Sequence, residues 1–298
     1  MYITNIEDAI GSTPLVKLCK ITNANIFAKA EFLNPGGSIK DRVAKYLIEE
    51  AEKEGKLNKD SVIVEPSSGN TGIAITLIGV QKGYNVIIVM PENMSEERKK
   101  IIKAFGGEII LTPAKDNLQG SINKVKELVK ANRNIYVPQQ FENPKNPEIH
   151  YKTTAREIWS QLKGNIGAFI MGVGSGGTIG GVGRFLKEKN RNIKVIAVEP
   201  ENCAALLGHE PGLHQIQGIG DGFIPPILDV SLIDEVITVS DAEAISTARL
   251  LAKEEGLLVG TSSGANVCAA MKLVKSFEKN IATILADRAE RYFSTSLI

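Results

Sequence analysis

Short apolar runs alternate with longer amphipathic stretches along most of the 298-residue chain. The runs SVIVE (61–65), NVIIVM (85–90), 168–173 and 193–199 are apolar at consecutive positions, the pattern of strands covered on both faces. Further strands are predicted at 26–32, 108–111, 135–138, 235–239 and 282–285. Between them apolar residues recur at helical spacing. The helices expected are 71–82, 95–105, 118–131, 149–162, 178–189, 242–255 and 265–277. One more opens beside Lys40, carries Ile39, Val43, Tyr46, Leu47 and Ile48 on one stripe, and stops at Gly55. This alternation predicts an α/β fold of mostly parallel sheets flanked by helices. The rhythm breaks at FENPKNPE (141–148), which predicts two α/β domains, 1–145 and 146–298, each with its own central sheet. The Gly- and Pro-rich stretch 208–226 is read as an irregular loop near the site.

Four turns between these elements carry groups with chemical potential. NPGGSIKDR (34–42) places Pro35, Gly36 and Gly37 in a turn, Ser38 as a helix N-cap and Lys40 in the first helical turn. The positive helix end disfavours a second cation there, which suits a Schiff-base amine; the plain alternative is one more surface lysine among 35 Lys and Arg residues. EPSSGNTG (65–72) offers Ser67, Ser68, Asn70 and Thr71 at a helix start, a setting for a carboxylate or simply a capped turn. GVGSGGTIGG (172–181) allows backbone N–H groups to approach a phosphate. Its Gly172, Gly174 and Gly177 also fit G-x-G-x-x-G, with Glu199 ending the next strand, the pattern of a dinucleotide site. That reading leaves Lys40 and the Asn70 turn without a role. GTSSG (260–264) is a fourth strand-to-helix turn.

Taken in order, these stretches resemble the cysteine synthase family, the O-acetylserine sulfhydrylases. NPGGSIKDR matches that family's lysine segment, EPSSGNTG its asparagine loop, and Gly174, Ser175, Gly176, Gly177 and Thr178 its phosphate cup. Gln140-Phe141 with the following Asn-Pro, and GSTPLVKL (11–18), also match, so the resemblance covers nearly the whole chain. It implies a tryptophan synthase β-like fold, the type II pyridoxal-phosphate architecture, in which part of 1–34 packs on the other domain. Pyridoxal 5'-phosphate is then the cofactor, joined to Lys40 as an internal aldimine. Asn70 touches its 3′ oxygen and Ser262 its pyridine nitrogen. Ser67, Ser68, Thr71 and Gln140 bind the substrate carboxylate. The reaction implied is β-replacement on a three-carbon amino acid through an α-aminoacrylate, O-acetylserine and sulfide giving L-cysteine. A homodimer is expected; members of the family commonly dock the C-terminal tail of serine acetyltransferase in the active site, and the sequence leaves that open for this chain.

Two stretches depart from the family. GIGDGFIP (218–225) has Asp221 where alanine is usual, and LADRAERY (285–292) stands for Leu-Pro-Asp-Ser-Gly-Glu-Arg-Tyr. A carboxylate at 221 repels hydrosulfide, accepts a proton from a thiol or water, or pairs with an ammonium group; a solvent-facing loop cap is the plain alternative. Asp221 therefore raises a variant reaction: L-cysteine as first substrate, hydrogen sulfide released, and a second cysteine (giving lanthionine) or water (giving serine) added.

Composition narrows the rest. A net charge of +1 gives no electrostatic reason for nucleic acid or an anionic membrane surface. No apolar run has membrane-spanning length, and the N-terminus lacks a signal-peptide pattern. Cys19, Cys203 and Cys268 are odd in number and far apart, which predicts a reducing cytoplasm rather than a disulfide framework. His209 and His214 are separated by Pro211 and Gly212 and are read as structural or surface residues; no metal is expected. Rival classes are a lyase or dehydratase of the same fold, a nicotinamide oxidoreductase, and a non-catalytic binding protein.

Overall fold

The computed structural model describes residues 2–67 and 69–298. Its strands are β1 (Leu15–Lys17), β2 (Ile26–Ala30), β3 (Val62–Pro66), β4 (Asn85–Pro91), β5 (Glu108–Thr112), β6 (Ile135–Tyr136), β7 (Ile166–Gly172), β8 (Lys194–Pro200), β9 (Glu235–Val239) and β10 (Asn280–Leu285). Among the described residues they form a six-stranded sheet, β1-β2-β10-β7-β8-β9, and a four-stranded sheet, β5-β4-β3-β6. Every pairing is parallel except β1 with β2.

Alternation of side chains explains why the large sheet must be covered twice. On β7, Ala168 and Ile170 enter one core while Phe169 and Met171 enter the other. On β8, Ile196 and Val198 go with the first pair and Val195 and Ala197 with the second. The helices that cover the two sheets are α1 (Lys40–Lys53), α2 (Asn70–Gln81), α3 (Glu96–Ala104), α4 (Asn117–Ala131), α5 (Lys145–Ile149), α6 (Ala155–Gln161), α7 (Gly177–Lys189), α8 (Asp241–Leu250) and α9 (Thr261–Leu273), with α2, α3 and α4 on the smaller sheet. No helix among the described residues is long and apolar enough to cross a membrane.

The differences from expectation have local causes. β1 is a three-residue, half-exposed edge strand with no core periodicity to announce it. β6 stops at Tyr136, ahead of Pro138, which cannot donate to a ladder. α1 starts with Ile39, not Ser38, at the cap position, because the Ser38 backbone is taken up in a bridge to Asp287; the Ser38 hydroxyl still accepts the Lys40 N–H at 3.2 Å. The helix expected over 149–162 begins at Lys145 and passes through a π-helical turn, His150–Thr154, between α5 and α6.

Candidate active site

Parallel pairing brings the carboxyl ends of β2, β10 and β7 to one edge, and the turns that follow them line a cavity of about 400 Å³. It brings together Lys40, Ser67, Asn70, Thr71, Gln140, Ser175, Asp221 and Ser262. Ser68 lies outside the described residues. Lys40 is half-buried. Burial lowers the pKa of its amine from the ordinary lysine value, against the pull of the Asp221 and then the Asp287 carboxylate. The direction is the one predicted, but desolvation causes it, where the sequence argument relied on the helix end. Gly36 and Gly37 are needed in the preceding turn. A Cβ on Gly36 would lie 2.5 Å from Asp41 Oδ1, and Gly37 has φ +81° with Arg291 Nη2 2.5 Å from where its Cβ would be.

The carboxylate-type turn is tied to the Gln140 segment. Ser67 Oγ accepts the N–H groups of Gly69 (3.2 Å) and Gly72 (3.0 Å). Thr71 Oγ1 donates to Gln140 Oε1 at 2.6 Å, which leaves the Gln140 Nε2 hydrogens to donate elsewhere. Behind them Glu65 accepts the backbone N–H groups of Gln139 (3.1 Å) and Gln140 (3.3 Å), and burial raises its carboxyl to about 7.

The glycine turn is as tight as its composition suggested. A Cβ on Gly174 would lie 2.3 Å from the Gly218 carbonyl oxygen, and one on Gly177 2.0 Å from Asn146 Oδ1. Gly176 has φ +80° and caps the 13-residue α7. Ser175 faces the cavity while Gly174, Gly176, Gly177 and Thr178 build the turn around it. Asn146 Nδ2 donates to Ser175 Oγ (3.1 Å) and to the Gln140 carbonyl (2.8 Å), joining two of the turns. Thr178 Oγ1 sits 3.3 Å from His150 Nε2. Burial, then Arg42 and Lys40, hold His150 far below the ordinary histidine range, so it is neutral. Glu199 is buried and accepts the Leu206 N–H at 3.0 Å, so it is not presented to a ribose in the dinucleotide manner.

The sequence model for "pyridoxal-phosphate dependent enzyme" matches residues 6–287. The chain belongs to that family. It is 46% identical over 301 residues to a cysteine synthase of Staphylococcus aureus, covering 99% of this chain and 97% of that one. An O-acetylserine dependent cystathionine beta-synthase from Helicobacter pylori is similar over 100% of this chain and 99% of its own, with a TM-score of 0.94 and 45% identity. A hydrogen sulfide-producing enzyme from Fusobacterium nucleatum matches over 98% and 99%, with a TM-score of 0.94 and 41% identity.

Pyridoxal phosphate is thus the cofactor of this enzyme, and the site fits it. A glycine turn that excludes Cβ atoms at the N-terminus of a long helix suits the phosphate. A neutral-prone lysine in the same cavity suits the aldehyde. Ser262, buried in the first turn of α9, contributes a hydroxyl to this cavity. Asp221 opens onto the cavity from the 208–226 loop. The surrounding protein raises its pKa, opposed by Lys40 and then His214, and solvent in the open cavity moderates the effect. His214 also lines the cavity. Its Nδ1 accepts the Ile216 N–H (3.2 Å) and its Nε2 faces the Gly220 carbonyl (2.9 Å), which assigns the Nε2–H tautomer. Sequence reasoning also missed Asp287, Arg291 and Tyr292, although LADRAERY keeps all three at the family's spacing.

Proposed function

We propose that this enzyme carries out β-replacement on a three-carbon amino acid, converting O-acetylserine and sulfide to L-cysteine and acetate. The observation that carries this reading is one cavity shared by the Lys40 amine, Ser67, Asn70, Thr71, Gln140, Ser175 and Ser262. Pyridoxal phosphate, when bound, draws electrons from the substrate's α-carbon and makes its proton removable. Lys40 is the amine that carries the cofactor at rest and the base that takes and returns the α-proton, a role helped by its lowered pKa. Ser67, Ser68, Thr71 and Gln140 hold the substrate carboxylate; Asn70 and Ser262 hold the ring, and 174–178 the phosphate. Ser262 would meet the ring nitrogen with a hydroxyl, which could not hold it protonated as a carboxylate would, and so would favour elimination at the β-carbon. Acetate leaves the β-carbon with the C–O bonding pair, and sulfide supplies the pair for the new C–S bond.

A second reading has its own observation. Asp221 lines the same cavity, and its charge acts on Lys40. It supports L-cysteine as first substrate, with hydrogen sulfide released and a second cysteine or water added, and a similar protein from F. nucleatum is a hydrogen sulfide-producing enzyme. The test supplies cysteine alone, or O-acetylserine plus sulfide, and identifies the products. Fast cysteine synthesis with no sulfide from cysteine alone supports the first reading. Sulfide from cysteine alone, lost in Asp221→Asn, supports the second. Pyruvate without an amino-acid product from either mixture would sink β-replacement itself.

The boundary of the two domains between 145 and 146, with part of 1–34 on the second, belongs to the same proposal and is supported by the two strand orders. A cytoplasmic homodimer that docks a serine acetyltransferase tail completes it. The three cysteines are free, in keeping with a reducing compartment.

A further inference from the structure

We propose that Asp287 and Arg291 are positioning residues that fix which end of the Asn70 side-chain amide meets the cofactor. Both ends of that amide are held from the same strap, the residues following β10. Asn70 Nδ2 donates to Asp287 Oδ2 at 2.6 Å, and Asn70 Oδ1 accepts from Arg291 Nη1 at 2.5 Å. A flipped amide would set nitrogen against guanidinium and oxygen against carboxylate, losing both bonds and opposing like partners. The amide nitrogen has two hydrogens, and one is engaged by Asp287. The second is the donor left for the cavity that Asn70 lines.

The clamp is itself rigidly built. Asp287 Oδ2 also accepts the Tyr292 hydroxyl, and the Tyr292 ring is buried beneath the Arg98 guanidinium, 5.0 Å from its centroid. Arg291 Nη2 donates to the Gly36 carbonyl at 2.8 Å, in the turn that precedes Lys40. The Ile39 N–H donates to the Ala286 carbonyl at 2.9 Å, and the Ala286 N–H donates to Ser263 Oγ at 2.8 Å. One short strap therefore sets the lysine turn, Asn70 and the Ser262 turn in a common frame. The frame also requires Gly260, because a Cβ there would lie 2.3 Å from Asp287 Oδ1.

The inference rests on the proposed role of Asn70, and N70A is made alongside to test that role separately. Holoenzymes of N70A, D287A, D287N, R291K and the N70A/D287A double variant are compared by the visible absorption of the bound cofactor and by its dissociation constant. D287A and R291K are expected to shift the spectrum in the same direction as N70A and to weaken cofactor binding roughly 10- to 100-fold. D287N, which keeps an acceptor but not the charge, is expected to fall between D287A and wild type. The double variant is expected to bind the cofactor no more weakly than N70A alone, because the clamp acts through that amide. Wild-type spectra in D287N and R291K, or losses that multiply with that of N70A, would overturn the proposal. An unchanged spectrum in N70A would instead overturn the role of Asn70.

Discussion

Replacing Glu65 with glutamine should change how the stability of the protein depends on pH. The carboxyl lies at the end of β3, buried, facing the N–H groups of Gln139 and Gln140, and no lysine or arginine is among the causes acting on it. Burial raises it from 4.5 to about 7. Below pH 4.5 both folded and unfolded chains hold the proton. Between 4.5 and 7 the unfolded chain ionises first, so stability falls as pH rises; above 7 both are ionised and the contribution is flat. At about 1.4 kcal/mol per pH unit, that interval amounts to about 3 kcal/mol lost from pH 4.5 to 8. Asp41, also raised to about 7 by burial, bends the wild-type curve in the same sense, but it is common to both proteins and cancels in their difference. Glutamine leaves one of the two N–H groups facing its own NH2, a cost of about 1–3 kcal/mol that does not vary with pH. Urea unfolding of both holoenzymes at pH 5, 6, 7 and 8 should thus show E65Q less stable at pH 5, with the gap shrinking by about 2–3 kcal/mol at pH 8. A gap that stays constant across that range would mean Glu65 is ionised throughout, and the desolvation argument would fail.

Other substitutions test separate parts of the molecule. Arg42→Ala strands Glu31, which is fully buried and bonded to Arg42 Nε at 2.7 Å, and should cost about 3–5 kcal/mol by chemical denaturation, against less than about 0.5 for the exposed Arg156→Ala. Gly174→Ala drives a Cβ against the Gly218 carbonyl and should weaken pyridoxal phosphate binding about tenfold or more, read by equilibrium dialysis. Lys40→Ala should abolish the visible absorption of the lysine-linked cofactor and lower turnover by roughly 10²- to 10⁴-fold; a retained lysine-type spectrum would refute its assignment.

What the sequence reveals follows from how far apart the interacting residues lie. β4 is visible because NVIIVM is buried on both faces, and the turns around Lys40, Asn70 and Ser175 because glycines and polar residues there interrupt apolar runs. Each of those signals is local. The contact between Asn70 and Asp287 joins positions 217 residues apart, and no periodicity encodes it. Glu65 reads as a polar strand end until the chain returns to cover it with the Gln139–Gln140 backbone. His214 reads as a loop residue because only the folded course of 208–226 brings it to the cavity. The π-helical turn His150–Thr154 continues the helix on either side of it and differs in its backbone bonds, which side-chain periodicity does not report.

Strand order is what makes a single cofactor site out of distant turns. β10 lies between β2 and β7 and runs parallel to both. β2 leads into the Lys40 turn, β7 into the glycine turn, and β10 into the strap that holds Asn70. Neighbouring strands are about 4.8 Å apart, so the ends of β2 and β7 are separated by about 10 Å, with the strap between them. An amine at one end and a phosphate cup at the other are then within reach of one ligand, although their residues are more than 130 positions apart in the chain. Conservative apolar exchanges within β10, such as Ile281→Val, preserve this spacing. A change that displaces the strap moves the lysine turn, Asn70 and the Ser262 turn together, because it is bonded to all three.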